Sequence, residues 1–119
     1  MHLAQRRRMK LAVIGIRTFS DDIRINAALN DLPATEILTS GSNPTATAAT
    51  WYAAVKELPT RRFEANLVQY GSRAKQLRDR QLVEAADALL AFWNGQSVAV
   101  REAIEYAHEL RKRVVVLPC

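Results

Sequence analysis

Three short, unbroken apolar runs constrain this chain more than any other feature. They are residues 10–16 (KLAVIGI), 88–93 (ALLAFW) and 114–117 (VVVL). Each is far shorter than the roughly 20 residues that cross a bilayer. Each lacks the polar alternation of a strand with one wet face, so it reads as a strand covered on both faces, as in a parallel sheet. The segments between them carry helical spacing. Ser20 precedes Asp21 and Asp22 as an N-cap followed by first-turn acids, then Ile25, Ala28, Leu29 and Leu32 form a stripe that Pro33 stops. Residues 35–40 (TEILTS) form a second strand ending at Gly41. The next stripe is Ala48, Trp51, Tyr52, Val55 and Leu58, closed by Pro59. Residues 61–67 (RRFEANL) alternate weakly, as an edge strand does.

Gly71 and Ser72 open a charged helix that runs to about Ala86. Asn94-Gly95 marks a turn, and Val100, Ala103, Ile104 and Ala107 share one face of the last helix. Strands alternating with helices imply right-handed crossovers. The expectation is an α/β chain: a single Rossmann-like three-layer domain with a five-stranded parallel sheet in the order 3-2-1-4-5 and helices on both faces. The three greasiest runs are expected at its centre. In such a sheet the strand order reverses between the first and fourth strands, and ligands bind there, beyond the carboxyl ends. The loops that begin near Gly15, Gly41 and Trp93 should then converge.

At 119 residues the chain is one domain's worth, and its 49% of apolar residues suffices for a single core. Cys119 is the only cysteine, and His2 and His108 are the only histidines, so no metal site and no cofactor are expected. The formal charge is +5, but residues 1–10 carry Arg6, Arg7, Arg8 and Lys10 with no acid. The remainder holds 13 basic and 12 acidic residues. Residues 1–8 read as a flexible basic arm, solvated or able to touch nucleic acid, ahead of a nearly neutral domain over 9–119. The apolar stretch after the arm is too short and too soon polar for a signal peptide, so a cytoplasmic protein without membrane partners is expected.

Candidate ligand residues follow from the loops. After the first strand, Gly15 lets a ligand approach the backbone, Arg17 offers a guanidinium fork to phosphate or carboxylate, and Thr18 adds a hydroxyl. On pattern alone this is a weak signal, since GxR after a strand is common and a solvated Arg17 fits it too. After the second strand, Gly41, Ser42 and Asn43 precede a helix start that favours anions, and the same residues suit an ordinary capped turn with Ser42, Asn43 or Thr45 as the cap. Trp93, Asn94, Gly95 and Ser97 follow the fourth strand; the indole either stacks on a ring or caps the core. Trp51 and Tyr52 read as core, and His108 as structural or solvent-facing. Arg73, Lys75, Arg78 and Arg80, with Asp79 and Glu84, read as a wet helix face, Arg80 excepted. There is no GxxxxGK[ST], no GxGxxG and no nucleophile–histidine arrangement.

The stretches LAVIGIRTFSD (11–21), EILTSG (36–41), YG (70–71), RDRQLVEAADALLAFWNGQS (78–97) and REAIEYA (101–107) together resemble the YspA-like, cpYpsA-related branch of the SLOG superfamily. The chain is also similar, more distantly, to the lysine decarboxylase-like LOG phosphoribohydrolases. The resemblance implies a pocket for a nucleotide or nucleotide-derived ligand. It places Gly15 and Arg17 in the first ligand loop, Gly41 at the start of the second, and Asn94, Gly95 and Ser97 in the fourth-strand loop. Arg80 falls where LOG enzymes carry a functional arginine.

The chain departs from that pattern. Gly15-Ile16-Arg17 stands for the usual GSR, residues 41–47 (GSNPTAT) for GGAxGAD, and residues 97–100 (SVAV) for SxGT. The catalytic glutamate of LOG enzymes would fall on Ala103, beside Glu102. The leading expectation is therefore a sensor or sequestering protein for a nucleotide-derived small molecule, more a binder than an enzyme. One alternative is phosphoribohydrolase-like cleavage of nucleoside monophosphates using Arg80 and Glu102. Another is a protein- or nucleic-acid-binding module with a vestigial pocket, using the basic arm. The resemblance also implies a homodimer.

Overall fold

Strand β1 (Lys10–Gly15) realises the first apolar run, and in the computed structural model it lies at the centre of the sheet. The structure describes residues 8–41 and 43–119. From β1 the chain continues through α1 (Asp22–Asn30), β2 (Glu36–Thr39), α2 (Pro44–Val55), β3 (Thr60–Arg62) and the single turn α3 (Leu67–Tyr70). A 3₁₀ turn (Gly71–Arg73) then leads to α4 (Ala74–Ala85), β4 (Ala88–Trp93), α5 (Val98–Glu109) and β5 (Arg113–Pro118). All strand pairs are parallel, in the order β3-β2-β1-β4-β5. The architecture and strand order expected from the sequence are those observed.

Alternation along the central strands builds two cores. Leu11 and Val13 of β1, with Leu90 and Phe92 of β4, pack on α1 and α2 through Ile25, Leu29, Ala49 and Ala53. Ala12 and Ile14, with Leu89 and Ala91, face α4 and α5 through Leu82, Val83, Val100 and Ile104. Successive side chains on a strand point to opposite faces, so a strand covered on both sides must be apolar throughout.

Several local expectations are corrected. The N-cap of α1 is Asp21, not Ser20: its carboxylate accepts from Arg24 N at 3.1 Å. Helix α2 buries Thr45, Ala46, Ala48, Ala49 and Ala53, while Trp51 is 69% exposed and Val55 74%. Small residues let α2 lie close to the sheet, and the large ones turn outward. The reading of Trp51 as core therefore fails, and Tyr52 is only half-buried. Strand β3 is three residues long rather than seven. The VVVL run sits in β5 at a sheet edge rather than at the centre, with Val116 40% exposed.

Lys112 closes the α4–α5 layer. Its ammonium donates to the carbonyls of Val83 (3.1 Å), Glu84 (2.7 Å) and Ala86 where α4 ends, Val83 O also accepting from Ala86 N at 3.2 Å. Among the described residues, no helix is long and apolar enough to cross a membrane.

Candidate functional site

Because β1 and β4 are parallel neighbours, with Gly15 paired to Phe92, the loops that follow them emerge on the same edge of the sheet. There they border a cleft of about 810 Å³, within the range of small-molecule sites. Arg17 enters it from the β1–α1 loop, Asn43 from the start of α2, and Arg62 from the end of β3. Lys75, Arg78 and Asp79 enter from α4, and Ser97 and Ala99 from the start of α5. Four cations thus face two acids, Glu64 and Asp79. Arg62 is loosely paired with Glu64 at 3.4 Å, both exposed.

The α4 pair is different. Arg78 Nε donates to Asp79 Oδ1 at 2.8 Å, and the two side chains are only 11% and 17% exposed. Burial raises the Asp79 carboxyl above its ordinary value of 3.8. Arg78 and Lys75 pull it down, and the Glu102 charge adds to the rise.

The loop residues expected to bind have specific local duties. Gly15 borders the cleft, but the space of its missing side chain is filled by α2: an added Cβ would lie 2.3 Å from Thr45 Oγ1. Its carbonyl accepts from Asn43 Nδ2 at 3.2 Å, while Asn43 Oδ1 caps α2 by accepting from Ala46 N at 2.9 Å. Close helix packing is thus enough to explain this glycine. Gly41 has a φ of +73° and lies under the Arg62 side chain, outside the cleft lining. Thr18 is exposed beside Arg17 without lining the cleft, and Ser42 lies outside the described residues.

Trp93 is half-buried against the core, and its indole N–H donates to Ser97 O at 3.0 Å, so it acts as a core cap. Asn94 Oδ1 accepts from the amides of Gln96 and Ser97, both at 2.9 Å, and Gly95 turns at φ +80°. This turn delivers Ser97, whose Oγ caps α5 at Val100 N, to the cleft edge.

Arg80 is placed elsewhere. It stacks 4.7 Å from the Tyr106 ring centroid, and the Tyr106 hydroxyl in turn donates to Glu84. Arg80 and Glu102 share a recess of about 80 Å³ between α4 and α5, with Gln76 donating to Glu102 at 3.3 Å. That volume is below what a nucleotide needs.

Sequence reading missed Arg62, Lys75, Arg78 and Asp79 as cleft residues. The signal on α4 was present in the spacing: positions 75, 78 and 79 share a helical face, and position 80 is turned about 100° from position 79. Arg62 carried no such signal. A larger hollow of about 910 Å³ lies between α1 and α2, lined by Trp51 and Val55 among others, but among the described residues Lys56 is its only cation. The concentration of positive charge is at the strand ends.

Fold and cleft together define a doubly wound, Rossmann-like α/β protein with its recess at the topological switch point. No family model matches the chain, and no curated protein matches it. Among solved structures it is similar to DNA processing protein A from Helicobacter pylori, whose structure addresses its single-stranded DNA binding mode. The two share 16% identity at a TM-score of 0.70 over 93% of this chain. This chain spans 66% of that one's length, and the likeness bears on the fold.

Proposed function

We propose that this protein binds a nucleotide or nucleotide-derived phosphate ligand in the strand-end cleft, as a sensor or sequestering protein. The observation that carries this reading is the convergence of Arg17, Arg62, Lys75 and Arg78 on one cleft beside the start of α5. Guanidinium groups suit phosphate oxygens, and the uncapped first amides of a helix add donors for the same anion. The resemblance to SLOG proteins supports the same reading.

Calorimetry against a panel of nucleotides and ADP-ribose derivatives tests it. Binding is expected for at least one member, with affinity falling about 10- to 100-fold in Arg17→Ala, the usual worth of a charged hydrogen bond. A correctly folded protein that is silent across the panel refutes the proposal.

A second reading, single-stranded nucleic acid, is favoured by the likeness to a DNA-binding structure. Most of the basic arm lies outside the described residues; of it, Arg8 is described and exposed. Binding of an oligonucleotide that weakens steeply with salt and on removal of residues 1–8 supports this reading, and salt-independent binding excludes it. Hydrolysis using Arg80 and Glu102 has less support, since the recess holding both is small and Ala103 supplies no carboxylate.

A further inference from the structure

The geometry points to Asp79 as the residue that selects a ribose-bearing ligand, by accepting hydrogen bonds from the sugar hydroxyls while the phosphate is held by the cations of the cleft. This rests on the nucleotide reading and adds a criterion to it.

A cleft built only for phosphate has no use for a fixed carboxylate. Yet Asp79 lines this one, held by Arg78 Nε at 2.8 Å, with only 17% of its side chain exposed. That contact engages Oδ1. Among the described residues no protein hydrogen bond to Oδ2 is present and it is not fully enclosed, and Asp79 lines both this cleft and the adjoining α4–α5 recess. An ionised carboxylate only accepts hydrogen bonds, and it repels phosphate oxygens. The part of the ligand against Asp79 must therefore be a hydrogen-bond donor rather than an anion, as a sugar hydroxyl is, while the anionic end of the same ligand lies toward Arg17 and the first amides of α5. A phosphorylated sugar with free hydroxyls has both halves. Arg78 links them, because its Nε is committed to Asp79 while its terminal nitrogens have no acceptor among the described residues.

The composition of the walls supports the same ligand. Among the described residues, no aromatic side chain lines the cleft, so no platform is offered to a base. Recognition then falls on sugar and phosphate. A strand of DNA lacks the 2′-hydroxyl and has its 3′-oxygen esterified, so within the strand its sugars have no hydroxyl to give Asp79.

The test is calorimetry of the full chain with AMP and with 2′,3′-dideoxy-AMP, on the wild type and on Asp79→Asn. The wild type is expected to bind AMP at least tenfold more tightly, as suits a hydrogen bond to a charged acceptor. In Asp79→Asn the gap should shrink to about threefold or less, with dideoxy-AMP binding retained. Equal wild-type affinity for both nucleotides overturns the role of Asp79 and leaves the nucleotide reading standing. Loss of binding for both, on folded wild-type protein that also ignores the wider panel, removes that reading together with this one. The wild-type comparison needs no substitution, so a poorly folding variant does not blunt it.

Discussion

A single methyl group at position 15 would test how closely α2 lies on the sheet. An added Cβ on Gly15 meets Thr45 Oγ1 at 2.3 Å and Thr45 Cβ at 2.9 Å, and Thr45 is fully buried. Neither neighbour is the far end of a flexible side chain, so the helix has to shift. Gly15→Ala is expected to cost about 1–3 kcal/mol, the usual range for overpacking, as read by urea unfolding. A second residue-scale prediction concerns Asp79. Its folded carboxyl is raised mainly by burial, so it takes up a proton at a higher pH than the unfolded one. Unfolding then releases a proton in the interval above 3.8, and stability rises as pH falls through it. Wild type should therefore gain stability relative to Asp79→Asn between neutral pH and mild acid; the opposite trend would contradict the assigned burial. At this scale the sequence is a partial guide. Arg17 and Ser97 reach the cleft as expected, but Arg80 is turned onto Tyr106 while Arg78 and Asp79 occupy the wall. Which arginine of a charged helix faces inward depends on how that helix is rolled against α5, and no local pattern reports that.

Lys112 shows how one side chain can finish an element. Three carbonyls near the end of α4 converge on its ammonium. Lys112→Met keeps much of the aliphatic stem and removes the donors, leaving the part-buried carbonyl of Ala86 without its Lys112 donor, while Val83 O keeps only the Ala86 N–H at 3.2 Å. The expected loss is about 1–3 kcal/mol in urea unfolding, with earlier hydrogen exchange at the end of α4. Elements with a strong chemical signature were legible: β1 and β4 as continuous apolar runs, the turn at Asn94-Gly95, and α5 from its stripe. Helix α2 was legible as a helix but not in its facing. Its large side chains form one stripe and its alanines another, and a hydrophobicity pattern favours the large ones. The sheet at Gly15 requires the small ones, which reverses the assignment of Trp51.

For the molecule as a whole, strand order could be read because the short segment after Pro59 is too polar for a central position, and right-handed crossovers leave few alternatives. The sequence does not reveal how residues far apart in the chain meet in the cleft. Arg17, Arg62, Lys75 and Arg78 come from a loop, an edge strand and a helix that touch only once the sheet is assembled. The cleft is thus a property of the completed fold, and no fragment of the chain contains it. Occupancy and melting are then linked equilibria: a compound that recognises the native state alone adds about 2.7 kcal/mol at a hundredfold excess over its Kd. A melting curve recorded against a compound library should rise by several degrees for a true occupant and stay still for a bystander. The protein would report on its own ligand before that ligand had a name.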